Sequence, residues 1–435
     1  MFIITRVVKN KVAKNAVWII MGKVAQSCLA LVINMITARY LGPSNYGLIS
    51  YASSIVAFVV PIMNLGFSNI LVQELTNNPD EEQTILGTSI FLSALSSIAC
   101  MIGILAYTNI ADAGEYETNI VVILYSFVLL FQAFELLQYW FQSKLLSKYM
   151  TISSLLAYCF IATYKIILLI NKASVFLFAL TSPIEYMLIS LFLFITYKKC
   201  GSGKIKIDFS IGKRMLAKSK HFIISSMMIT IFLQTDKIML KLMISEGAVG
   251  IYSAAVTCAT LTSFVFSAII DSFRPVILEY KRRGAEASYE KSLIKLYSLV
   301  IYLALIQSVV VTLFSNVIIN TLYGPQYAES ASLLKVVVWY TTFSYMGAVR
   351  MIWILSEEKQ KYLWILNLAG ALLNIVLNAI LIPFMGIYGA AIASFFTQVF
   401  ANYIMNYILI PLRKNNRLIN RSLNPKAILS TISQK

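Results

Sequence analysis

The sequence predicts an all-α integral membrane protein of about twelve transmembrane helices arranged as two six-helix lobes, and three observations carry that prediction. The 435 residues are 59% hydrophobic and only 13% charged, whereas soluble domains carry about 25% charged residues. Apolar runs of bilayer-crossing length, roughly 20 residues, recur along the whole chain. The net charge of +17 is concentrated on one alternate set of connecting segments, a pattern of membrane topology rather than of nucleic-acid binding.

The runs fall near 16–38, 47–72, 85–107, 119–142, 150–170, 174–197, 215–241, 248–274, 292–314, 328–355, 362–383 and 386–411. A basic stretch holding Arg6, Lys9, Lys11 and Lys14 precedes the first run, and no small-residue cleavage pattern follows it. It therefore reads as an uncleaved first span, not a secretory signal. With the N-terminus inside, most of the 36 lysines and arginines fall on cytoplasmic segments: these four, Lys144 and Lys148, the run from Lys198 to Lys220, Lys281 to Arg283, Lys359 and Lys361, and Arg413 to Arg421. Lys172 is the basic residue of the expected outside loops. That asymmetry puts both termini in the cytoplasm. The acidic loop with Glu74, Asp80, Glu81 and Glu82 dissents, but carboxylates weigh little in this rule.

The longest non-apolar segment lies between the sixth and seventh spans. It divides the chain into an N-terminal lobe over 1–197, a basic cytoplasmic linker over 198–220, a C-terminal lobe over 221–412 and a basic cytoplasmic tail over 413–435. A weak repeat follows the first span of each half: Gly42-Pro43-Ser44-Asn45-Tyr46-Gly47-Leu48 against Ser245-Glu246-Gly247-Ala248-Val249-Gly250-Ile251. An even number of spans per half makes the repeats parallel, related by an axis along the membrane normal. The outside loops, the longest being about 108–118 and 315–327, leave no room for an extracytoplasmic catalytic domain.

The five cysteines show no metal-ligand spacing and read as small core hydrophobes. His221, the one histidine, sits in a lysine-rich run at a span mouth, where it reads as solvated. No nucleophile–base set, phosphate-cradling loop or zinc pattern is present in the sequence, so the residues make no case for an enzyme, a cofactor or a metal.

Polar stripes inside the spans carry the functional signal. Thr260, Ser263, Ser267, Asp271 and Arg274 of the eighth span fall within a roughly 80° arc of a helix. The fourth aligns Gln132, Glu135, Gln138 and Gln142; the eleventh Asn367, Asn374 and Asn378 with Gly370; the first Lys23, Ser27 and Asn34; the tenth Lys335, Thr342 and Arg350. Lys165 and Glu185 stand alone in the fifth and sixth, and Asp236 and Lys237 lie near the far end of the seventh. Neutral residues in such stripes can simply glue helices together. Charges are costlier: Lys23, Lys165, Arg274, Lys335 and Arg350 facing lipid would together cost roughly 12 to 17 kcal/mol at about 2.5 to 3.5 kcal/mol each. They must line a wet cavity, pair with carboxylates, or snorkel to an interface. Asp271 and Arg274, three apart, can partly neutralise each other.

Ala38-Arg39-Tyr40-Leu41-Gly42-Pro43-Ser44-Asn45-Tyr46-Gly47 resembles the turn after the first span in the Wzx-type O-antigen and oligosaccharide flippases of the MOP, or MATE-like, superfamily. Leu65-Gly66-Phe67, Asp236-Lys237-Ile238-Met239-Leu240, Tyr323-Gly324-Pro325-Gln326-Tyr327 and Met385-Gly386-Ile387-Tyr388-Gly389-Ala390-Ala391 are similar to runs at matching places in that family, over roughly residues 10–410. The resemblance implies a two-lobe fold with a V-shaped central cavity in the bacterial inner membrane. It implies movement of undecaprenyl-diphosphate-linked glycans from the cytoplasmic to the periplasmic leaflet by alternating access, upstream of polysaccharide polymerase machinery. Lys23 matches the basic cavity residues of related flippases; Arg274, Arg350 and Lys165 join it as expected diphosphate ligands on the strength of their stripes. Glu135, Glu185, Asp236 and Asp271 are the expected sites for proton or sodium coupling. The alternative is a cation-coupled multidrug exporter of the same superfamily, which the lack of a carboxylate in the middle of the first span disfavours.

Overall fold

In hydrocarbon every backbone N–H and C=O must find its partner inside its own segment, so apolar runs of this length become helices. The computed structural model describes residues 11–200 and 206–424 as helices joined by short turns, with no strand among them. The side chains of residues 11–17, 19–25, 27 and 28, Lys23 and Cys28 included, lie outside the described residues. Nine described helices are long and apolar enough to cross a membrane, ten if a bent pair counts as one span. The other two expected spans are also helical. The first is fused to the second in one rod, Lys11–Met63, and the tenth is Ala328–Ser356, whose hydropathy is diluted by Arg350 and its Thr, Ser and Tyr residues. Large apolar side chains such as Ile102, Leu313 and Phe384 stand exposed on these rods. This is a multi-pass membrane protein.

Where a rod breaks, the sequence supplies the reason. Gly42 adopts φ 75° and ψ 171°, a conformation essentially closed to other residues, and Pro43 lacks the N–H that would continue the ladder. Lys11–Met63 is thus two helices joined at a kink at Gly42. Glu246–Ala259 and Ser263–Arg282 meet at 43°; Ser245 caps the first by accepting from the Ala248 N–H at 3.3 Å, as an N-cap serine does.

Two compact units divide the chain, Met1–Thr230 and Ile231–Lys435, and the Phe209–Met243 helix runs through the boundary. In the first unit Lys11–Met63 packs on Ser147–Ile170 and Tyr116–Phe134, which in turn packs on Glu82–Ala111 and Thr181–Cys200. Its core gathers Phe67, Leu71, Trp140, Phe141, Tyr197 and Met215. The basic segment expected as a linker over 198–220 is, from Phe209 onward, the first turns of the seventh helix. Asp208 caps it, accepting from the Ser210 N–H at 2.7 Å, and hydrogen bonds from the Ser210 side chain first and its backbone N–H second hold the Asp208 carboxyl below the usual carboxylate range. Ion pairs Arg214–Glu81 at 2.5 Å and Lys218–Glu74 at 2.6 Å then fasten it to the turn after the second span.

In the second unit Glu286–Leu322 packs along Ala328–Ser356, and Leu363–Met385 lies against Ile387–Val399. Gly389 permits that last approach, because a Cβ there would stand 2.4 Å from the Leu381 carbonyl oxygen. The core includes Tyr289, Tyr297, Val349 and Trp353. The expected basic tail is, over Arg413–Ser422, a packed amphipathic helix. Asn415, Leu418, Ile419 and Ser422 are buried at helical spacing, Tyr297 donates to Asn415 Oδ1 at 2.9 Å, and Arg413, Arg417 and Arg421 are left exposed. A hydrogen bond to the Glu286 carboxylate holds the Lys414 ammonium above the usual lysine range.

Candidate functional site

Within the first unit the structure gathers charges that are scattered in the sequence. Lys165, half-buried on Ser147–Ile170, donates from Nζ to Asn34 Oδ1 at 3.2 Å, so its only direct polar partner among the described residues is neutral. Glu185, on Thr181–Cys200, lies within electrostatic reach of Lys165 without a 4 Å ion pair, and Gln26 hydrogen-bonds to it. Glu135 interacts electrostatically with Glu185 and occupies the break between Tyr116–Phe134 and Leu137–Ser143. Asn34, Lys165, Glu185 and Glu135 thus form a polar track through one helical unit. It is neither sealed nor neutralised, which is what binding an exchangeable charged group requires.

The second unit contains a different object. Asp236, only 6% exposed, accepts four hydrogen bonds from three helices. Asn374 and Asn378 donate to Oδ1 at 3.1 and 2.7 Å, and the Tyr252 and Ser394 hydroxyls donate to Oδ2. Asn374 and Asn378 sit one turn apart on Leu363–Met385, Tyr252 comes from Glu246–Ala259, and Ser394 from Ile387–Val399. The Gly389 contact sets the distance between the asparagine helix and the serine helix. Four donors exhaust the roughly four acceptor sites of a carboxylate. No lysine or arginine lies within ion-pair distance of Asp236 among the described residues, so a buried negative charge is held by neutral dipoles alone. Burying such a charge is costly. Moreover, Asn374 Oδ1 and Asn378 Oδ1 are buried without a donor. A carboxylate with two idle amide oxygens beside it is a hard-oxygen set of the kind that holds a small cation.

The remaining expected residues separate. Arg350 is buried on Ala328–Ser356; its Nη1 donates to the Ala401 carbonyl at 2.5 Å, beside the π-helical turn Phe400–Ile404. Asp271 and Arg274 form an ion pair at 3.1 Å with 58% and 45% of their side chains exposed, so the polar stripe of Ser263–Arg282 stays open. Lys23 lies outside the described residues. Sequence reasoning placed Asp236 and the Asn374–Asn378 stripe but had no reason to join them. It missed Tyr252 and Ser394 as partners; each follows closely on a small-residue run noted for its pattern, 245–251 and 385–391, where helices approach closely enough for a hydroxyl to reach a neighbour.

A family model described as "Polysaccharide biosynthesis protein" matches residues 12–281, well over half of the chain. The chain belongs to that family. This polysaccharide biosynthesis protein is 21% identical over 424 residues to the "Putative O-antigen transporter" of Escherichia coli K12, covering 94% of this chain and 99% of that one. Over 179 residues it is 33% identical to an uncharacterized membrane protein of Methanocaldococcus jannaschii, covering 40% and 33% of the two chains. Among solved structures, the lipid II flippase MurJ in an inward closed conformation matches with TM-score 0.70 at 14% identity over 95% of this chain and 92% of that one. A multidrug resistance MATE transporter of the MOP superfamily in an inward-facing conformation matches with TM-score 0.69 at 12% identity, covering 89% and 96%. The expected MATE-like fold is therefore the fold of this chain.

Proposed function

We propose that this protein is a flippase that carries a diphosphate-linked glycolipid, of the undecaprenyl-diphosphate class, from the cytoplasmic to the periplasmic leaflet of the bacterial inner membrane, both termini being cytoplasmic. The family, and the O-antigen transporter similar along nearly its whole length, support the cargo class. The observation that carries the reading is the pairing of two kinds of site in one chain: an open charged track around Lys165 and a closed carboxylate at Asp236. An anionic headgroup cannot cross hydrocarbon unaccompanied. Lys165 and Lys23 in the first unit and Arg274 in the second are each a candidate to supply that company, while the glycan stays in water and the lipid tail stays in the bilayer. Arg350 donates from Nη1 to the Ala401 carbonyl but leaves its buried Nε without a partner among the described residues, so it stays among the candidate headgroup ligands.

Direction requires an energy source, and Asp236 is the residue that takes it up. Two idle amide oxygens are more ligands than the single O–H of a protonated carboxyl can use, and we read them as favouring sodium as the coupling ion. Rotation of the Asn374 and Asn378 amides would bring their oxygens to a cation bound at the carboxylate. Glu135, Glu185 and Asp271 then tune the cargo track. The test is genetic and chemical together. In a strain lacking the protein, lipid-linked glycan accumulates on the cytoplasmic leaflet and surface polysaccharide disappears; the wild-type gene restores it, and Lys165→Gln, Arg274→Gln or Asp236→Asn made at normal levels in the membrane does not. Full restoration by all three variants refutes the reading. A drug-resistance phenotype with normal surface polysaccharide in the deletion strain replaces it with the multidrug exporter.

A further inference from the structure

Lys237 is the residue that neither the fold nor the proposed function has used. It follows Asp236 directly, it is half-buried on a span-length helix, and it lies about 9 Å inside the Met243 end of that helix at 1.5 Å rise per residue. Its charge interacts with that of Asp236, yet among the described residues it has neither a hydrogen bond nor an ion pair. One turn further on, Lys241 shows the ordinary solution at such a place, since it is buried and pairs with Glu246 at 2.9 Å. The same chain could have neutralised Lys237 in the same way and has not. Asp236, the carboxylate nearest in sequence, is saturated by Asn374, Asn378, Tyr252 and Ser394 and turns no oxygen to the lysine.

We infer that Lys237 is an anion-binding residue for a phosphate-bearing headgroup, and that cation occupancy at Asp236 switches its strength. The inference rests on the reading of Asp236 as a sodium site. With Asp236 bare, the field of the carboxylate cancels much of the field of the neighbouring ammonium. With a cation on Asp236 the local pair is neutral, and the positive charge of Lys237 acts on the anion alone. Removing an opposing unit charge several ångströms away, at the dielectric typical of such sites, changes anion affinity by about tenfold or more. Linkage is reciprocal, so the anion strengthens sodium binding by the same factor. Cargo and ion would then be bound together, as a coupled carrier requires, through two adjacent residues on one helix.

The experiment uses the full-length protein in nanodiscs, inorganic pyrophosphate as probe, and calorimetric titration in sodium chloride and in choline chloride at equal ionic strength. Wild type is expected to bind pyrophosphate at least about tenfold more tightly in sodium. Lys237→Gln is expected to bind weakly in both salts, and Lys237→Arg to keep the sodium dependence. Asp236→Asn is expected to bind tightly in both, because the amide mimics the neutralised carboxylate; should that variant not fold, the two lysine variants decide. Wild-type affinity and sodium dependence in Lys237→Gln would overturn the inference, leaving a lysine that only reaches toward the membrane surface. So would a wild type whose pyrophosphate affinity ignores sodium while sodium itself still binds. Absence of sodium binding to the wild type, read directly in the same samples, instead removes the reading of Asp236 on which the inference stands.

Discussion

The two units solve the problem of a charge inside a membrane in opposite ways. In the first, Lys165, Glu185 and Glu135 stand in a loose track where, among the described residues, the one direct polar contact to the lysine is the neutral Asn34. In the second, one carboxylate is enclosed by four donors and shut off from solvent. The open arrangement leaves electrostatic work undone, so a large charged group arriving from outside can complete it. The closed one turns almost no surface to solvent, and its two unpaired amide oxygens are the ligands a small ion could recruit there. Size of ligand and degree of enclosure thus go together, which assigns the cargo headgroup to partly exposed lysines such as Lys165 and Lys237 and the coupling ion to the enclosed Asp236.

The most severe way to break this contrast is Asp236→Ala. It strands four buried donors, so it is expected to cost about 3 kcal/mol or more of stability and to abolish transport, read by thermal unfolding in detergent and by surface polysaccharide. Gly389→Ala attacks the same site from outside. By wedging a methyl against the Leu381 carbonyl it separates the asparagine and serine helices, costing about 1 to 3 kcal/mol and weakening sodium binding while leaving the Lys165 track intact. Lys165→Gln is the reverse case. Transport should fall by about tenfold or more, as for loss of a charge-assisted contact of about 1.5 kcal/mol, with unfolding midpoint and sodium binding close to wild type. Equal loss of stability in Lys165→Gln and Asp236→Ala would erase the distinction between the two sites.

Most of this architecture was legible in the residues, because the constraint that makes it is one-dimensional. Apolar length, the lysine asymmetry and the Gly42-Pro43 break are all local. The Asn374–Asn378 stripe is local too, since it follows helical period, and Asp236 stood out by its cost. Their meeting was not legible, because which face of Leu363–Met385 turns toward Asp236 depends on the approach that Gly389 allows, and that approach is a tertiary fact. Arg350 shows the converse. Its stripe looked like a cavity lining, yet the guanidinium answers a backbone carbonyl at the π-helical turn, an irregularity that side-chain periodicity does not announce.

The smallest effects lie at exposed positions. Asp271→Asn removes one partner of an exposed pair and should change stability by less than about 0.5 kcal/mol, so any transport defect it shows is functional. Asp208, whose carboxyl is held below its ordinary range by the Ser210 hydroxyl and N–H, contributes its capping stability above the unfolded carboxylate pKa and loses it as pH falls through the lower folded value. A slight extra loss of thermal stability on acidification, absent in Asp208→Asn, is the expected signature.

Equilibrium sodium binding to the purified protein, compared between wild type, Asp236→Asn and Lys165→Gln, reaches the division of labour between the units most directly. Wild type is expected to show one saturable sodium site, Lys165→Gln the same site, and a folded Asp236→Asn its loss. Undiminished sodium binding in Asp236→Asn, or its disappearance in Lys165→Gln, would contradict it.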